Sequence, residues 1–411
     1  MEPLPAALVE KIALRPKQER ERRGYPDGFP SLPPVPAGRY CDPTFFAAER
    51  KSVFGKSWLF VAHADEVAEP GDYLLLDQLP EPVMLVRGAD RRVRAFYNTC
   101  RHRGGPLVRA RSGNAGRDLV CGYHGWTYTL DGGLATIPQA KDFGALDRAC
   151  LGLKAVRCEA WGTFLFINLD PGAQPLRDAL GVVGEDLGPQ IADGEGVGPV
   201  CLLERRSLEV EGNWKLTVDA NVETYHVNTL HAKSAAIVLD QAATGIFLLP
   251  RGHSRMLISF RAGVALPFEL PPFPRASALA DLGIYSYHVF PNTSIVYGGS
   301  RSFLFLISSW PLAPNRTRYD VHFLAAVRAD GEHAEHIRAI IEANWSVFLE
   351  DLANLPFMQR SFEAGAIDGF ALGYQERRIY HQHEEIDRLI GAENVAAGLR
   401  VAPLLGDWIE R

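Results

Sequence analysis

The sequence predicts an α+β chain made of an N-terminal arm and two domains, and three observations carry that prediction. Three short apolar runs, 72–77, 82–87 and 93–98, follow one another with only Gly, Pro and Asp turn residues between them, as in a small antiparallel β domain. Five further runs, 254–260, 285–290, 293–298, 302–310 and 318–327, succeed one another without a helical pattern between them and so belong to one antiparallel sheet. A long helical pattern then spans about 331–355. With 411 residues the chain exceeds what the first β domain needs, which places a second core in the remainder.

Taken in order, residues 1–56 read as a helical arm. Leu4, Leu8 and Ile12 recur at helical spacing ahead of a dense charged run, so an amphipathic helix from Leu4 to about Arg23 is expected to pack on the second domain. PSLPPVPAG breaks it. Pro43 suits the first turn of a short helix through FFAAERKSVF, which leads into Trp58. The small β domain is assigned to 57–170, closing on the strand and exit turn WGTFLFINLDP, and the second domain to 171–411. A net charge of −6 lacks the basic excess that nucleic-acid binding requires. Cys41, Cys150, Cys158 and Cys201 are irregularly spaced in a long chain and read as reduced thiols. The first residues mix charges without the apolar core of a signal peptide, and no long apolar run follows, so the expectation is a cytoplasmic protein that does not enter a membrane. No glycine-rich phosphate loop is present, so no nicotinamide or flavin site is expected.

The chemistry concentrates in Asn98–Tyr128, NTCRHRGGPLVRARSGNAGRDLVCGYHGWTY. Cys100-x-His102 and Cys121-x-x-His124 each offer one thiolate and one imidazole, whereas zinc knuckles usually pair like with like. That mixture suits a Rieske [2Fe–2S] centre, in which two cysteines hold one iron and two histidines the other. The competing readings are a Cys2His2 zinc site or residues that merely pack. Gly104, Gly105, Gly122 and Gly125 favour the cluster, because glycine lets backbone N–H groups approach bridging sulfides.

CRHRGG followed by CGYHGW resembles the Rieske domain of the ring-hydroxylating oxygenase large subunits. The 18 residues between His102 and Cys121 are slightly more than the usual pattern, and the excess falls in the polar tip ARSGNAGRD. The resemblance implies a Rieske β domain beside a helix-grip (START/Bet v 1-like) catalytic domain, with chains assembled head to tail as a homotrimer. A separate small subunit is compatible with it.

A second metal is expected in GNWKLTVDANVETYHVNTLHAKS. His226 and His231 with nearby acids are candidate ligands, although two histidines on a surface helix give the same pattern. Five residues turn about 500° on an ideal helix and leave the rings about 140° apart, so the helix must break between them, with Asn228–Thr229 the expected place. A third ligand should be an acid pointing inward from another element. On the 331–355 helix Asp351 continues the stripe Ile340, Asn344, Val347, where a charge is costly unless paired or metal-bound; an N-cap or salt-bridge role is the alternative. Glu350 projects about 100° away and its loss should do little. ETYHVNTLH and EDL resemble the family's iron motifs, which makes His226, His231 and Asp351 the ligands of a mononuclear Fe(II). Glu223, three residues before His226, is expected on the same helix face. By resemblance it bridges His226 to a Rieske histidine of a neighbouring subunit; the plainer reading is an acid that orients His226. Glutamate there departs from the commoner aspartate and is seen in some oxygenases acting on quaternary amines.

The resemblance implies the terminal component of a Rieske non-haem iron oxygenase system. Electrons from a reductase, directly or through a ferredoxin, reach the iron by way of the cluster, and one or both atoms of O2 enter an aromatic or other apolar small molecule. Arg101, Arg103, Arg109 and Arg111 offer a docking patch for an acidic donor or a plain solvated surface. N- or O-demethylation of a quaternary amine or aryl ether is the alternative reaction. An electron-transfer or scaffold protein with one Rieske or zinc centre is the alternative of another class. Arg255 and Arg261 share one face of their strand and could meet a carboxylated substrate, the plainer reading being surface residues.

Overall fold

In the computed structural model, which describes residues 2–192, 198–264 and 270–410, the chain divides into two units. Gly55–Leu176 forms one, and Met1–Phe54 with Arg177–Arg411 forms the other.

The smaller unit is antiparallel β throughout. Its strands are β1 (Leu59–His63), β2 (Asp72–Leu75), β3 (Val83–Arg87), β4 (Val93–Tyr97), β5 (Ser112–Asn114), β6 (Asp118–Val120), β7 (Thr127–Thr129), β8 (Leu134–Thr136), β9 (Ala155–Trp161) and β10 (Phe164–Asn168). Seven pair in the order β1-β10-β9-β4-β3-β2-β5, and β6-β7-β8 make a separate small sheet. The run WGTFLFINLDP is therefore a hairpin rather than one strand: Gly162, at φ 58°, turns the end of β9 into β10. Met84, Phe96, Leu119, Trp126 and Tyr128 form a core that includes Cys100 and Cys121, so both candidate sulfur ligands stand on packed backbone.

In the larger unit the arm supplies α1 (Ala6–Glu21) and α2 (Pro43–Glu49), the latter capped by Asp42, whose carboxylate accepts from the Phe45 N–H at 2.7 Å. The sheet follows as β11 (Cys201–Val210), β12 (Leu239–Leu248), β13 (Ser254–Phe260), β14 (Gly283–Val289), β15 (Thr293–Tyr297), β16 (Phe303–Ala313) and β17 (Arg316–Ala325), ordered β11-β17-β16-β15-β14-β13-β12. Helices α3 (Trp214–Val222) and α4 (Val227–Leu230) precede β12, and α5 (Ala334–Leu352), α6 (Leu355–Glu363) and α7 (Arg377–Ile390) follow the sheet.

Register sorts the sheet residues by face. Cross-strand partners Met256, Ser286, Val296 and Phe305 look one way, and Arg255, Tyr287, Ile295 and Leu306 the other. The second face lies under α1, where a side chain at Gly245 would meet Arg15 and Pro16 at 2.9 Å. Helices α3, α5 and α7 cover the first face: Thr217 donates to Ser309 at 2.7 Å, Phe348 packs on Phe305 and Arg378 donates to Ser254 at 2.7 Å. Arg255 is thus no surface residue; it is buried against Asp186 at 2.6 Å and Glu410, away from the first face. Arg261 is exposed, as a surface residue, and donates to the Ala236 carbonyl and Asn228.

The arm is pinned to α3 by charge. Glu49 and Lys215 are fully buried and pair at 2.8 and 3.0 Å, while Tyr40 donates to Asp219 at 2.6 Å. Burial raises the Glu49 carboxyl and lowers the Lys215 ammonium against their mutual attraction. Such a pair adds little net stability, yet removing one partner strands a charge at a cost of about 3–5 kcal/mol. Among the described residues no helix is long and apolar enough to cross a membrane.

Candidate functional site, two metal centres

The two Cys/His loops are built on one frame. The Cys100 N–H donates to the Gly105 carbonyl at 2.8 Å and the Gly104 N–H returns to Cys100 at 2.9 Å. In the second loop Cys121 donates to Trp126 and Gly125 returns to Cys121, both at 2.9 Å. The hydrogen bonds fall at the same offsets from each cysteine, with the histidine two residues on in one loop and three in the other. Gly104 and Gly125 occupy matching positions at φ 75° and 70°, which explains those two glycines by backbone conformation. Gly122 has no such φ, and a Cβ added there would have no neighbour within 4 Å, while at Gly105 an added Cβ would lie 3.5 Å from the Cys121 sulfur.

Between the loops the cysteines are buried and the histidine rings lie 4.6 Å apart. His102 stacks on Trp126, and its Nδ1 is buried with no hydrogen-bond partner among the described residues, a lone pair open to a metal. Burial, with His124 beside it, lowers the His102 pKa and keeps the imidazole neutral, as ligation requires. The Tyr128 hydroxyl lies 3.3 Å from the Cys100 sulfur. Two buried thiols on one side and two imidazoles on the other fit a Rieske cluster.

In the larger unit α3 ends at Val222, and Glu223 is extended at φ −131°, ψ 171°. His226 and His231 flank the single turn of α4 as its N-cap and C-cap. The helix therefore breaks before His226 and at His231, with Asn228 and Thr229 inside the turn, and Glu223 does not share a helix with His226. Its side chain reaches back nonetheless: one oxygen meets His226 Nδ1 and the other accepts from the Tyr225 N–H.

The last turn of α5 completes the group. Asp351 Oδ1 lies 3.0 Å from His231 Nε2 and 3.4 Å from His226 Nε2, and one donor atom from each residue lies within 4.8 Å of the others. Glu350, adjacent in sequence, accepts from His231 Nδ1 and from the Ser234 hydroxyl, each at 2.7 Å. The two acids thus hold opposite edges of one imidazole, so the divergence of neighbouring helical residues, which counted against Glu350, is what lets both act. In the neutral rings that ligation requires, each Nδ1–H is given to a carboxylate and both Nε2 atoms are left as acceptors facing an acceptor oxygen. Asp351 Oδ1 is buried and makes no well-aligned hydrogen bond despite its short distances. Converging acceptors without a proton fit a cation held by two histidines and one carboxylate.

A cavity of about 450 Å³ opens from His226 and His231 across the first face of the sheet, between Met256, Ile284, Val296 and Phe305 on one side and Val347 and Phe348 of α5 on the other. Glu223 is the one acid among its described lining residues, which include no Lys or Arg. A second cavity, of about 900 Å³, meets Glu223, His226 and Asp351 beside the exposed Phe357 and Met358.

A family model described as the ring hydroxylating alpha subunit catalytic domain matches residues 202–392, and the Rieske [2Fe-2S] domain model matches residues 57–156. The chain belongs to the Rieske oxygenase large subunits. Its cofactors are accordingly a [2Fe–2S] cluster and a mononuclear non-haem iron, and its activity is that of a terminal oxygenase component. This displaces the electron-transfer or scaffold alternative. The chain is 29% identical over 365 residues to the carnitine monooxygenase oxygenase subunit of Escherichia coli (strain K12), covering 85% of this chain and 91% of that protein. It is 37% identical over 223 residues to the large oxygenase component of the 2,4-dinitrotoluene dioxygenase system of Burkholderia sp. (strain RASC), covering 52% and 48%. Among solved structures, a quaternary ammonium Rieske monooxygenase superposes with a TM-score of 0.74 at 25% identity, over 89% of this chain and 99% of that one. In fold, this Rieske oxygenase subunit also matches naphthalene 1,2-dioxygenase from Rhodococcus sp. bound to indole, TM-score 0.74 at 24% identity, over 88% and 95% of the two chains.

Proposed function

We propose that this terminal oxygenase hydroxylates an aromatic or other apolar small molecule, with Cys100, His102, Cys121 and His124 holding the cluster and His226, His231 and Asp351 the iron. When bound, the two groups supply electron storage and O2 activation. The protein's own contribution is to orient the ligand rings through Glu223 and Glu350 and to keep water from the reacting carbon with an apolar wall. The observation that carries the substrate reading is the cavity beside the histidines: its lining is aliphatic and Phe-rich, without Trp or Tyr among the described residues to cage a quaternary ammonium. Electrons come from a reductase, with or without a ferredoxin, and the exposed Arg101, Arg103, Arg109 and Arg111 suit an acidic donor.

Glu223 is the bridging acid in this reading, and the chain works as a cytoplasmic homotrimer, with a small subunit an allowed addition. Tyr225 and Phe357, 66% and 65% exposed, surround the Glu223 side and suit burial by a neighbour's cluster domain. Mixed oligomers test this: Cys100→Ser and Asp351→Ala chains, each inactive alone, should regain activity on co-assembly, and Glu223→Gln in the Cys100→Ser chain should cancel the rescue. No rescue in verified mixed trimers would place electron transfer within one chain.

Similarity to the carnitine monooxygenase subunit over most of both chains, together with glutamate at 223, supports a second reading, oxidative N-demethylation of a quaternary amine. Substrate-dependent O2 uptake across arenes, aromatic acids, aryl ethers and quaternary amines decides between them. Uptake confined to quaternary amines would overturn the first reading.

A further inference from the structure

Beyond the metal centres, the first face of the sheet carries a buried cation without a counter-ion. Arg378 of α7 is 2% exposed; its Nε donates to the Ser254 hydroxyl at 2.7 Å, its Nη1 lies 3.4 Å from Met256 Sδ, and its Nη2 has no partner among the described residues. The buried Arg39 and Arg255 and the half-buried Arg205 pair with Asp387, Asp186 and Asp320 at 2.6–2.8 Å, and Arg377 is satisfied by the Tyr374 and Ile246 carbonyls. No described acid pairs with Arg378. A desolvated, uncompensated guanidinium is among the most expensive groups a protein can bury.

Its surroundings lack partners in the same way. Ser254 and Met256 have His288 and Ser286 as cross-strand partners, so four neighbouring sheet positions form a square beside the guanidinium. On that square Ser286 Oγ and His288 Nε2 are buried with no hydrogen-bond partner among the described residues. His288 Nδ1 faces the Ser294 hydroxyl at 3.3 Å, and the ring also hydrogen-bonds the Pro291 carbonyl. Two unmatched donors, Arg378 Nη2 and Ser286 Oγ, thus belong to neighbouring positions on one face. Met256 and Ser286 also line the cavity that begins at His226 and His231, and Met256 is unbranched and can swing aside.

We propose that Arg378 and Ser286 form a carboxylate subsite behind Met256 in the wall of the substrate cavity, reached when Met256 swings aside, so that the substrate is an apolar, aromatic-type carboxylic acid oxidised at a carbon remote from its carboxylate. The inference rests on the oxygenase reading for the reaction but not for the binding. Arg378 binds the carboxylate through its Nη groups, the Ser286 hydroxyl donates to it, and the apolar body lies along Val296 and Phe305 toward the proposed iron ligands.

The test uses the full chain loaded with cluster and iron, and measures binding without turnover. 2-Naphthoate should bind about 10–100-fold more tightly than naphthalene-2-carboxamide, the range for a hydrogen-bonded charge. Arg378→Met should erase that preference and also raise the melting temperature of the ligand-free protein, because an apolar side chain of similar length replaces an unpaired charge. An arginine that only holds the fold together would lower it. Ser286→Ala, which leaves the cation in place, should weaken the acid about three- to tenfold and the amide not at all. Equal binding of acid and amide by the wild type overturns the proposal, as does an acid preference that survives Arg378→Met. Acetate or chloride reproducing the full thermal shift of naphthoate would mean a general anion site and overturn the substrate assignment. Selective binding without O2 uptake would strike at the oxygenase reading alone; neutral arenes oxidised equally by wild type and Arg378→Met, with no acid preference, would strike at the subsite alone.

Discussion

The cluster loops and the iron group solve the same problem, fixing soft side chains around a metal, by opposite means. All four proposed cluster ligands fall within Cys100–His124, and each loop is shaped by two hydrogen bonds of its own backbone. The proposed iron ligands come from a broken helix and a distant one. His231 and the acid on its Nδ1 are 119 residues apart in the chain, and each ring is aimed by a carboxylate rather than by its loop. A local frame needs only local sequence, whereas an assembled one depends on supporting acids and on the packing of α5 against the sheet.

That contrast breaks most visibly if either centre is removed. Asp351→Ala should abolish iron binding and all turnover while the cluster keeps its visible absorption and reduced-state EPR signal, and Cys100→Ser should do the reverse. Iron analysis with spectroscopy on both variants checks it; loss of both centres in either variant would deny their independence.

A subtler test removes support rather than a ligand. Glu350→Ala should weaken iron binding about 10–100-fold and leave the cluster spectrum unchanged, since a carboxylate on the far nitrogen fixes both tautomer and ring orientation. Titration with Fe(II) measures this, and wild-type affinity would restore the sequence expectation that Glu350 matters little.

Protons should also separate the centres. Burial disfavours the His231 cation, but Asp351 and Glu350 outweigh it and raise the metal-free pKa to about 8. The charged imidazole therefore stabilises the metal-free fold fully below the usual value near 6.5, and that contribution fades as pH rises through about 8. Iron needs both rings neutral, and the Glu223 and Asp351 carboxylates raise the His226 pKa against its burial as well, so apparent affinity should rise at least about tenfold per pH unit up to about 8 and then level off. His102, whose pKa is lowered, competes with no such proton. A pH-independent iron affinity between about 6 and about 8 would contradict the geometry.

The smallest expected effect lies inside the cluster frame. Gly104→Ala or Gly125→Ala forces a side chain into positive φ and should cost about 1–2 kcal/mol in thermal unfolding of that unit, whereas Gly122→Ala should be nearly neutral. Equal effects at the three positions would mean that sulfide approach, and not backbone conformation, selects these glycines.

Much of this is legible in the sequence because it is local. The paired Cys/His loops, the five inner strands and the acid on the apolar stripe of α5 each follow from residue type and spacing. In the larger sheet the strands that spacing does not reveal are the two edges: β11, whose alternation is interrupted by Glu204, Arg205 and Arg206, and β12, whose pairing with β13 shifts register between Leu239 and Thr244; in the smaller unit β1 and the three-residue strands β5–β8 also escape it. The helix break falls elsewhere than expected for a related reason, since Glu223 leaves the helix to hold His226, a contact that helical periodicity does not contain.

The sequence by itself determined the chemistry of this subunit: two mixed Cys/His loops, a histidine pair and a buried acid name the metals, because ligand type and short spacing survive without coordinates. Only the tertiary structure decided what surrounds them. Glu350 rather than a solvated acid meets His231, Arg255 is spent on Asp186 and Glu410, and Arg378 is the arginine left unpaired beside the cavity wall. These are questions of which side chains face one another across a sheet and three helices, and strand register and helix packing, which no local spacing encodes, answer them.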